Sequence, residues 1–421
     1  MRARRGFPTP KGFILACLVP VCVAFIGCSG LGPDPTGRLC SAIRALDPKN
    51  MEQGKKLTAI LDDESSSAVV EAITVLYSSP DRDIRRRAAE ALGYYVQDFH
   101  SRKEVREAAM PLARRLLADP DDHIARYALM ASCNRESVAD APLVAARLRT
   151  AADDRLIEKG AMVLAGWQAW DLLYDEIGRT VADVASPENE SRARKRLASL
   201  LFGIEVYLEK APTILGGKIA RLVAVSGAGR RAILCLKRMP GFDAGPVLQE
   251  EFGKAGTLEP RVALTAAMIV LKIDEGRAIK QLMEYATQAA DRCADTQVPM
   301  DELKMINGWL AFAAANRSDL DLLRQGWNIY GRLGLRAKSR LLEDMCGEFL
   351  NNSETMIGFL CHDIRREELL DLLRLSDTLR NEIKDCLLGR PRLPEPVGDA
   401  KTLTDILRAL EDGTQLREGK P

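Results

Sequence analysis

An apolar helical stripe recurs along this chain at intervals close to one helix pair, and that recurrence narrows its fold more than any other feature. In SPDRDIRRRAAEALGYY, Ile84, Ala88, Ala91 and Leu92 stand at i, i+4, i+7 and i+8, which places them on one side of a helix. The pattern returns 40 residues later as Ile124, Ala128 and Ala131, and 32 further on as Leu156, Gly160, Val163 and Leu164. Much later it reappears as Val262, Ala266, Ile269 and Val270. Second helices fill the intervals, at Val105–Leu117, Ala141–Leu148 and Trp170–Val181. Ahead of the first stripe, Pro80-Asp81 marks a turn, and Asp83 is placed to cap the helix with its carboxylate. Arg85, Arg86 and Glu90 fall on the opposite side, which predicts a solvated face. One helix pair cannot bury its own stripe, so copies of it must stack.

The residues of the first stripe carry a resemblance. Asp83-Ile84-Arg85 followed by Ala88-Ala89-Glu90-Ala91-Leu92-Gly93 resembles the first helix of a HEAT repeat. The resemblance implies an all-α fold, an α-solenoid of HEAT-like (armadillo-like) helical hairpins, less regular in its C-terminal half. On this reading the array covers 39–190, with Leu39–Leu61 and Ala68–Leu76 as a degenerate first pair. An irregular continuation covers 191–390, with helices expected at Gly217–Val225, Ala232–Arg238, Asp301–Asn316, Leu320–Leu333, Ala337–Leu350 and Arg366–Leu388. A separate helical domain beginning near 185–195 is the alternative. Residues 391–421 hold a Pro-rich break, a terminal amphipathic helix and a tail. That helix has a capping-box pattern at Thr402 and Asp405, an apolar face of Leu403, Ile406, Leu407 and Leu410, and a stop at Gly413. It either caps the array or offers a motif to a partner's groove.

The N-terminus has a different grammar. Arg2, Arg4, Arg5 and Lys11 precede the uncharged run GFILACLVPVCVAFIG, the order of an export signal. The run is short for a spanning helix, which needs about 20 apolar residues. Its end, Phe25-Ile26-Gly27-Cys28, resembles the lipobox of bacterial lipoproteins. That resemblance implies a signal peptide over 1–27, cleavage between Gly27 and Cys28, and palmitate-type acylation with Cys28 as the lipidation site. An uncleaved anchor helix and ordinary signal cleavage remain alternatives, and all three place the mature chain outside the cytoplasm. Residues 28–38, rich in Gly and Pro, read as a flexible tether. Ser29 is not the Asp that retains such proteins in the inner membrane, so the outer membrane of a diderm host is the expected location. Arg4-Arg5-Gly6-Phe7 partly matches a twin-arginine signal as well as an ordinary basic segment.

Charge bears on the partner. The chain holds 60 Lys+Arg against 59 Asp+Glu, and loss of 1–27 removes four basic residues and no acid, leaving 56 against 59. No basic surplus is present to neutralise phosphates, which argues against nucleic acid. The basic clusters Arg85–Arg87, Arg114-Arg115, Arg192–Arg196 and Arg230-Arg231 read first as solvated faces or inter-repeat ion pairs. Arg114 and Arg115, on a second helix, are the candidate partner-binding residues should such helices line a concave face.

A search for chemistry returns little. Seven of the ten cysteines lie beyond Cys28, and no two are two to four residues apart, so the local pairs of a zinc site are missing. Cys235, in AILCLKRM, reads as a buried thiol, and one or two disulfides are open where the compartment oxidises. His123 sits at a repeat turn. Cys361-His362-Asp363 diverges on a helix, where successive residues point about 100° apart. LVAVSGAGRRAIL lacks the third Gly and the Lys-Ser/Thr of phosphate loops, so Gly227 and Gly229 read as a helix–helix joint. No catalytic residue, metal site, cofactor or small-molecule substrate is expected.

The function read from these features is a membrane-anchored, non-catalytic protein-binding scaffold of the cell envelope. The alternatives are a HEAT-like lyase or enzyme-assisting protein, and a structural component of a larger envelope assembly. Incorporation of a fatty-acid analogue in the native host is expected for the wild-type chain and should vanish in Cys28→Ala. Labelling that persists in the variant would remove the lipobox assignment.

Overall fold

The computed structural model describes residues 35–45, 57, 59–98, 103–132, 138–184, 186, 188–295, 300–349, 352–388 and 399–411. Gly27, Cys28, His100, Cys133 and Gly413 lie outside them, as do the Pro-rich segment and the tail. Every regular element among the described residues is helical, and the helices stack into an all-α solenoid.

Two rows make up the stack. The first row runs through Arg82–Asp98, Asp122–Ser132, Asp154–Gly166, Glu190–Ile204, Gly229–Lys237, Leu258–Val270, Asp301–Arg317, Leu335–Glu348 and Asp377–Leu388, each packed on the next. Beside it lie Ser66–Tyr77, Lys103–Leu117, Ala141–Thr150 and Trp170–Val184, then Thr213–Arg221 and Gly245–Lys254. Glu275–Asp295, Leu320–Ile329, Ser353–His362 and Asp399–Glu411 complete this second row. The sequence stripes face the seam between neighbours. Ala88, Ala91, Leu92, Ile124, Ala128, Ala131, Leu156, Val163, Leu164, Val262, Ala266 and Ile269 are all buried, and Ile84 packs half-buried against them.

Small residues set the spacing of the first row. At Gly203 an added Cβ would stand 2.3 Å from the Glu158 carbonyl oxygen and 2.8 Å from the Ala161 Cβ. Helix Glu190–Ile204 therefore approaches Asp154–Gly166 at backbone distance. Glu190–Ile204 also packs on Trp170–Val184, across the expected boundary near 185–195, and Arg196 ties the two sides: it donates to the Ala151 carbonyl at 3.0 Å and pairs with Glu176 at 2.6 Å.

Several hairpin turns share one geometry without glycine. Gln168, Lys272 and Ser318 hold φ of 58°, 59° and 56°. In each turn the next amide reaches back to close the preceding helix: Ala169 to Leu164 O at 2.9 Å, Ile273 to Met268 O at 2.8 Å, and Asp319 to Ala314 O at 3.0 Å. This is a Schellman-type closure of the helix end, and its hydrogen bonds offset the left-handed cost of a residue with a Cβ.

Local expectations are corrected in five places. Asp83 lies inside its helix, and the cap is Asp81, whose Oδ1 accepts from the Asp83 and Ile84 amides at 2.8 and 3.4 Å. The expected helix Leu39–Leu61 ends first at Arg44 and is helical again at 57 and 59–62, while 46–56 lie outside the described residues. That helix starts at Pro35, within the segment read as tether, because proline suits the first helical position. Arg366–Leu388 is two helices, Arg366–Leu375 and Asp377–Leu388: Ser376 is extended, and its Oγ accepts from the Leu379 amide at 3.0 Å. The terminal helix begins at Asp399, so Thr402 sits within it instead of capping it.

That terminal helix docks on Ser353–His362 and Asp377–Leu388, burying Leu403, Ile406 and Leu407. Gly227 occupies the joint ahead of Gly229–Lys237 with φ of 81°, as a joint reading requires.

The backbone contact at Gly203 makes a quantitative expectation. Gly203→Ala should lower stability by about 1–3 kcal/mol through overpacking. Gly178→Ala, on an exposed helical position with open space around it, should raise stability by about 0.5–1 kcal/mol. Urea unfolding followed by circular dichroism separates the two signs.

Candidate partner-binding surface

The basic clusters are largely spent within the fold. Arg85 donates to the Ser79 and Pro80 carbonyls at 3.1 and 2.9 Å, and Arg86 pairs with Asp121 at 2.9 Å. Arg87 reaches the Arg44 carbonyl. Arg194 pairs with Glu190 and donates to Ser226 at 3.1 Å. Arg231 and Arg238 share Glu205 at 2.7 and 3.0 Å. Arg230 pairs with Glu348 and lies over the rings of Trp309 and Phe312. Glu348 is pushed up by its burial, which the Arg230 charge opposes. Lys237 Nζ donates to the Asn316 carbonyl at 3.1 Å, so in this region side chains bridge first-row helices that are not immediate neighbours.

Arg114 and Arg115 both stand exposed on Lys103–Leu117, a second-row helix. Arg114 forms a two-point pair with Asp140, Nε to Oδ1 at 2.9 Å and Nη2 to Oδ2 at 3.2 Å. Arg115 lies over the Tyr77 ring, 5.8 Å from its centroid. Tyr77 donates its hydroxyl to Asp119 at 2.8 Å. Burial and that bond push the Tyr77 phenol up to about 12.

The segment Asp119-Pro120-Asp121-Asp122 wires three repeats together. Asp119 takes the Tyr77 hydroxyl from behind, and Asp121 takes Arg82 at 2.7 Å and Arg86 from the preceding first-row helix. Asp121 also accepts the His123 amide at 3.0 Å, capping its own helix. Asp122 points forward, accepting the Ala152 and Asp153 amides at 2.7 Å each and pairing with Arg147. Burial works against the Asp121 charge, but Arg86, Arg82 and the His123 amide hold its carboxyl well below the usual carboxylate range.

Glu90 overturns its expectation of a solvated face. It is 2 % exposed and meets His123 Nε2 at 2.6 Å, so it joins the repeats at Arg82–Asp98 and Asp122–Ser132. His362 meets Asp399 at 2.8 Å, which fixes the start of the terminal helix to the array. Among the described residues no group of three or more His, Cys, Asp or Glu is placed to hold a metal. No helix among them is long and apolar enough to cross a membrane. Cys235 is fully buried, and that burial pushes its thiol up.

Two features went unread in the sequence. One is a surface hydrophobic pair, Phe202 at 48 % and Val206 at 67 % exposure, one turn apart. The core stripe of Glu190–Ile204 is Ala193, Leu197, Leu200, Leu201 and Ile204, and Phe202 sits off it; plotting that stripe exposes the outlier. Arg231 covers the Phe202 ring at 4.6 Å. The other is an open groove of about 510 Å³ between the second-row helices Glu275–Asp295 and Leu320–Ile329. It is lined by Ile279, Lys280, Met283, Thr287 and Gln325 among others. A buried seam gives no such signal in periodicity, because the groove forms between helices of different hairpins.

Comparison with known proteins adds only coarse likenesses. No protein-family model and no curated protein matches the chain. Among solved structures, the chain is similar to a homology model of the full-length AP-3 complex in an intermediate open conformation. That alignment has 10% identity over 90% of this chain and 89% of the other, at a TM-score of 0.26. It is also similar to a chain from a study of Kap95p binding to RanGDP, at 12% identity over 90% of this chain and 63% of the other, TM-score 0.26. Superpositions at that level leave the fold assignment to the helix packing itself, which is that of an all-α helical solenoid.

The Asp121 contacts generate a pH dependence. Its folded carboxyl titrates below the unfolded one, so its contribution is complete above about pH 4 and fades as pH falls toward the folded value. Asp121→Asn should cost about 1–3 kcal/mol at pH 7 and show a shallower loss of stability between pH 4 and 2 than wild type. Denaturant midpoints measured across that range test it, and parallel acid limbs would refute it.

Proposed function

We propose that this chain is a membrane-anchored envelope lipoprotein of a bacterium, working as a non-catalytic scaffold that binds protein partners. One observation carries the scaffold half: the first row packs helix to helix from Arg82 to Leu388, which joins separate hairpins into one long platform. Such a platform presents many side chains at fixed spacing, and that suits recognition of an extended segment or a second domain better than enclosure of a small substrate. The anchor half rests on the residues around Cys28, with the outer membrane of a diderm host as the location.

Binding on the platform follows from what its surface leaves unspent. Phe202 and Val206 offer apolar area, and a partner there must share the Phe202 ring with Arg231, which is already paired with Glu205. Arg114 and Arg115 supply positive charge on the second row, although an acidic partner must compete with Asp140 for Arg114.

Cross-linking in the native host, followed by mass spectrometry of co-purified proteins, tests the proposal. A specific protein partner is expected, with recovery falling at least about tenfold in the Phe202→Ser, Val206→Ser double variant. Recovery of no partner together with turnover of a small molecule would defeat the scaffold and favour the lyase alternative. A fixed-stoichiometry complex of many envelope proteins would favour the structural alternative.

A further inference from the structure

Two cysteines separated by 40 positions meet inside the C-terminal end of the array. Cys346 lies on Leu335–Glu348 and Cys386 on Asp377–Leu388, neighbouring first-row helices packed side by side. Cys386 Sγ donates to the Cys346 carbonyl at 3.4 Å, which brings the two side chains into one buried seam. Both side chains are fully shielded from solvent. The proximity of Cys386 and burial push the Cys346 thiol up. Neither thiol belongs to the proposed binding surface.

A buried thiol packs like any small apolar side chain, but two brought together from facing helices have a chemistry that alanine or valine lacks. We propose that Cys346 and Cys386 are a disulfide-forming pair, which closes into a covalent staple between the last two first-row helices. The loop it closes contains Ser353–His362 and Arg366–Leu375, so the bond would tie together the hairpin on which the terminal helix docks. The reaction is thiol–disulfide exchange with a small-molecule or protein disulfide. One cysteine thiolate attacks the oxidant's S–S bond to give a mixed disulfide and release one thiolate. The second cysteine thiolate then displaces the remaining oxidant sulfur, forming the Cys346–Cys386 bond. Two protons leave the protein and the oxidant is reduced to two thiols, so electrons balance. Access comes before the helices pack, or during opening of the array's end, where stacked repeats have fewest neighbours.

The experiment uses the full chain and does not depend on where the protein resides or what it binds. The chain is unfolded, refolded in a buffer of reduced and oxidised glutathione, then denatured in guanidinium containing iodoacetamide and mapped by peptide mass spectrometry. The expected product is a single cross-linked peptide pair joining Cys346 to Cys386, two hydrogens lighter than the separate thiols, in protein that has regained its helical circular dichroism. Oxidised protein should melt at a higher temperature than the same sample reduced with dithiothreitol, and Cys386→Ser should leave Cys346 alkylated. Should that variant fail to fold, the wild-type map alone decides. Both cysteines alkylated under excess oxidised glutathione, or Cys346 joined to Cys361 or Cys235 instead, would overturn the proposal.

Discussion

Close approach between successive first-row helices is the constraint on which the rest of this structure depends. A hairpin carrying one apolar stripe has no stable form alone, and it becomes stable only where the next hairpin covers that stripe. Alanine-rich seams such as Ala88, Ala91, Ala128 and Ala131 make this possible by letting backbones draw near, and Gly203 carries the principle to its limit against Glu158. Few core positions hold aromatic side chains, which is consistent with a chain of only 5% aromatic residues.

Electrostatics then locks the register of the stack. Apolar seams are tolerant of sliding, whereas a carboxylate with two fixed arginines and an amide is not. Asp119, Asp121 and Asp122 reach backward and forward from a single turn, and Glu176 gathers Arg179 and Arg196 in a buried site. A buried ion pair of this kind is weak evidence for net stability, but removal of one partner leaves an uncompensated charge and is strongly destabilising. This explains why arginine clusters that resemble binding patches in one dimension turn out to be engaged inside the molecule. Arg231, spanning Glu205 and Phe202, shows both uses in a single side chain.

The fold was legible in the sequence because helical periodicity reports burial directly. The stripe at Ile84 and its copies, the joint at Gly227, and the packed face of the terminal helix all follow from spacing alone. What stayed hidden depends on partners distant in sequence. Glu90 looks solvent-facing within its own helix and is buried only because the following repeat brings His123 over it. Gln168, Lys272 and Ser318 carry none of the glycine signal for a left-handed turn, since their conformation is imposed by closure of the hairpin. The exposed Phe202 was readable in principle, as the apolar residue that does not fit its helix's stripe. The contact of Cys346 with Cys386 was not, because the break at Ser376 that sets their relative height has no apolar signature.

The docked helix Asp399–Glu411 has a meaning beyond its own packing. A solenoid is a stack with two ends, and an uncovered end offers fresh hydrophobic surface shaped to receive another unit. By laying Leu403, Ile406 and Leu407 against Ser353–His362 and Asp377–Leu388, and clipping Asp399 to His362, the chain covers the apolar side of its last first-row helix with its own residues. That side of the array is already occupied, and a foreign helix would have to displace three buried apolar residues to reach it.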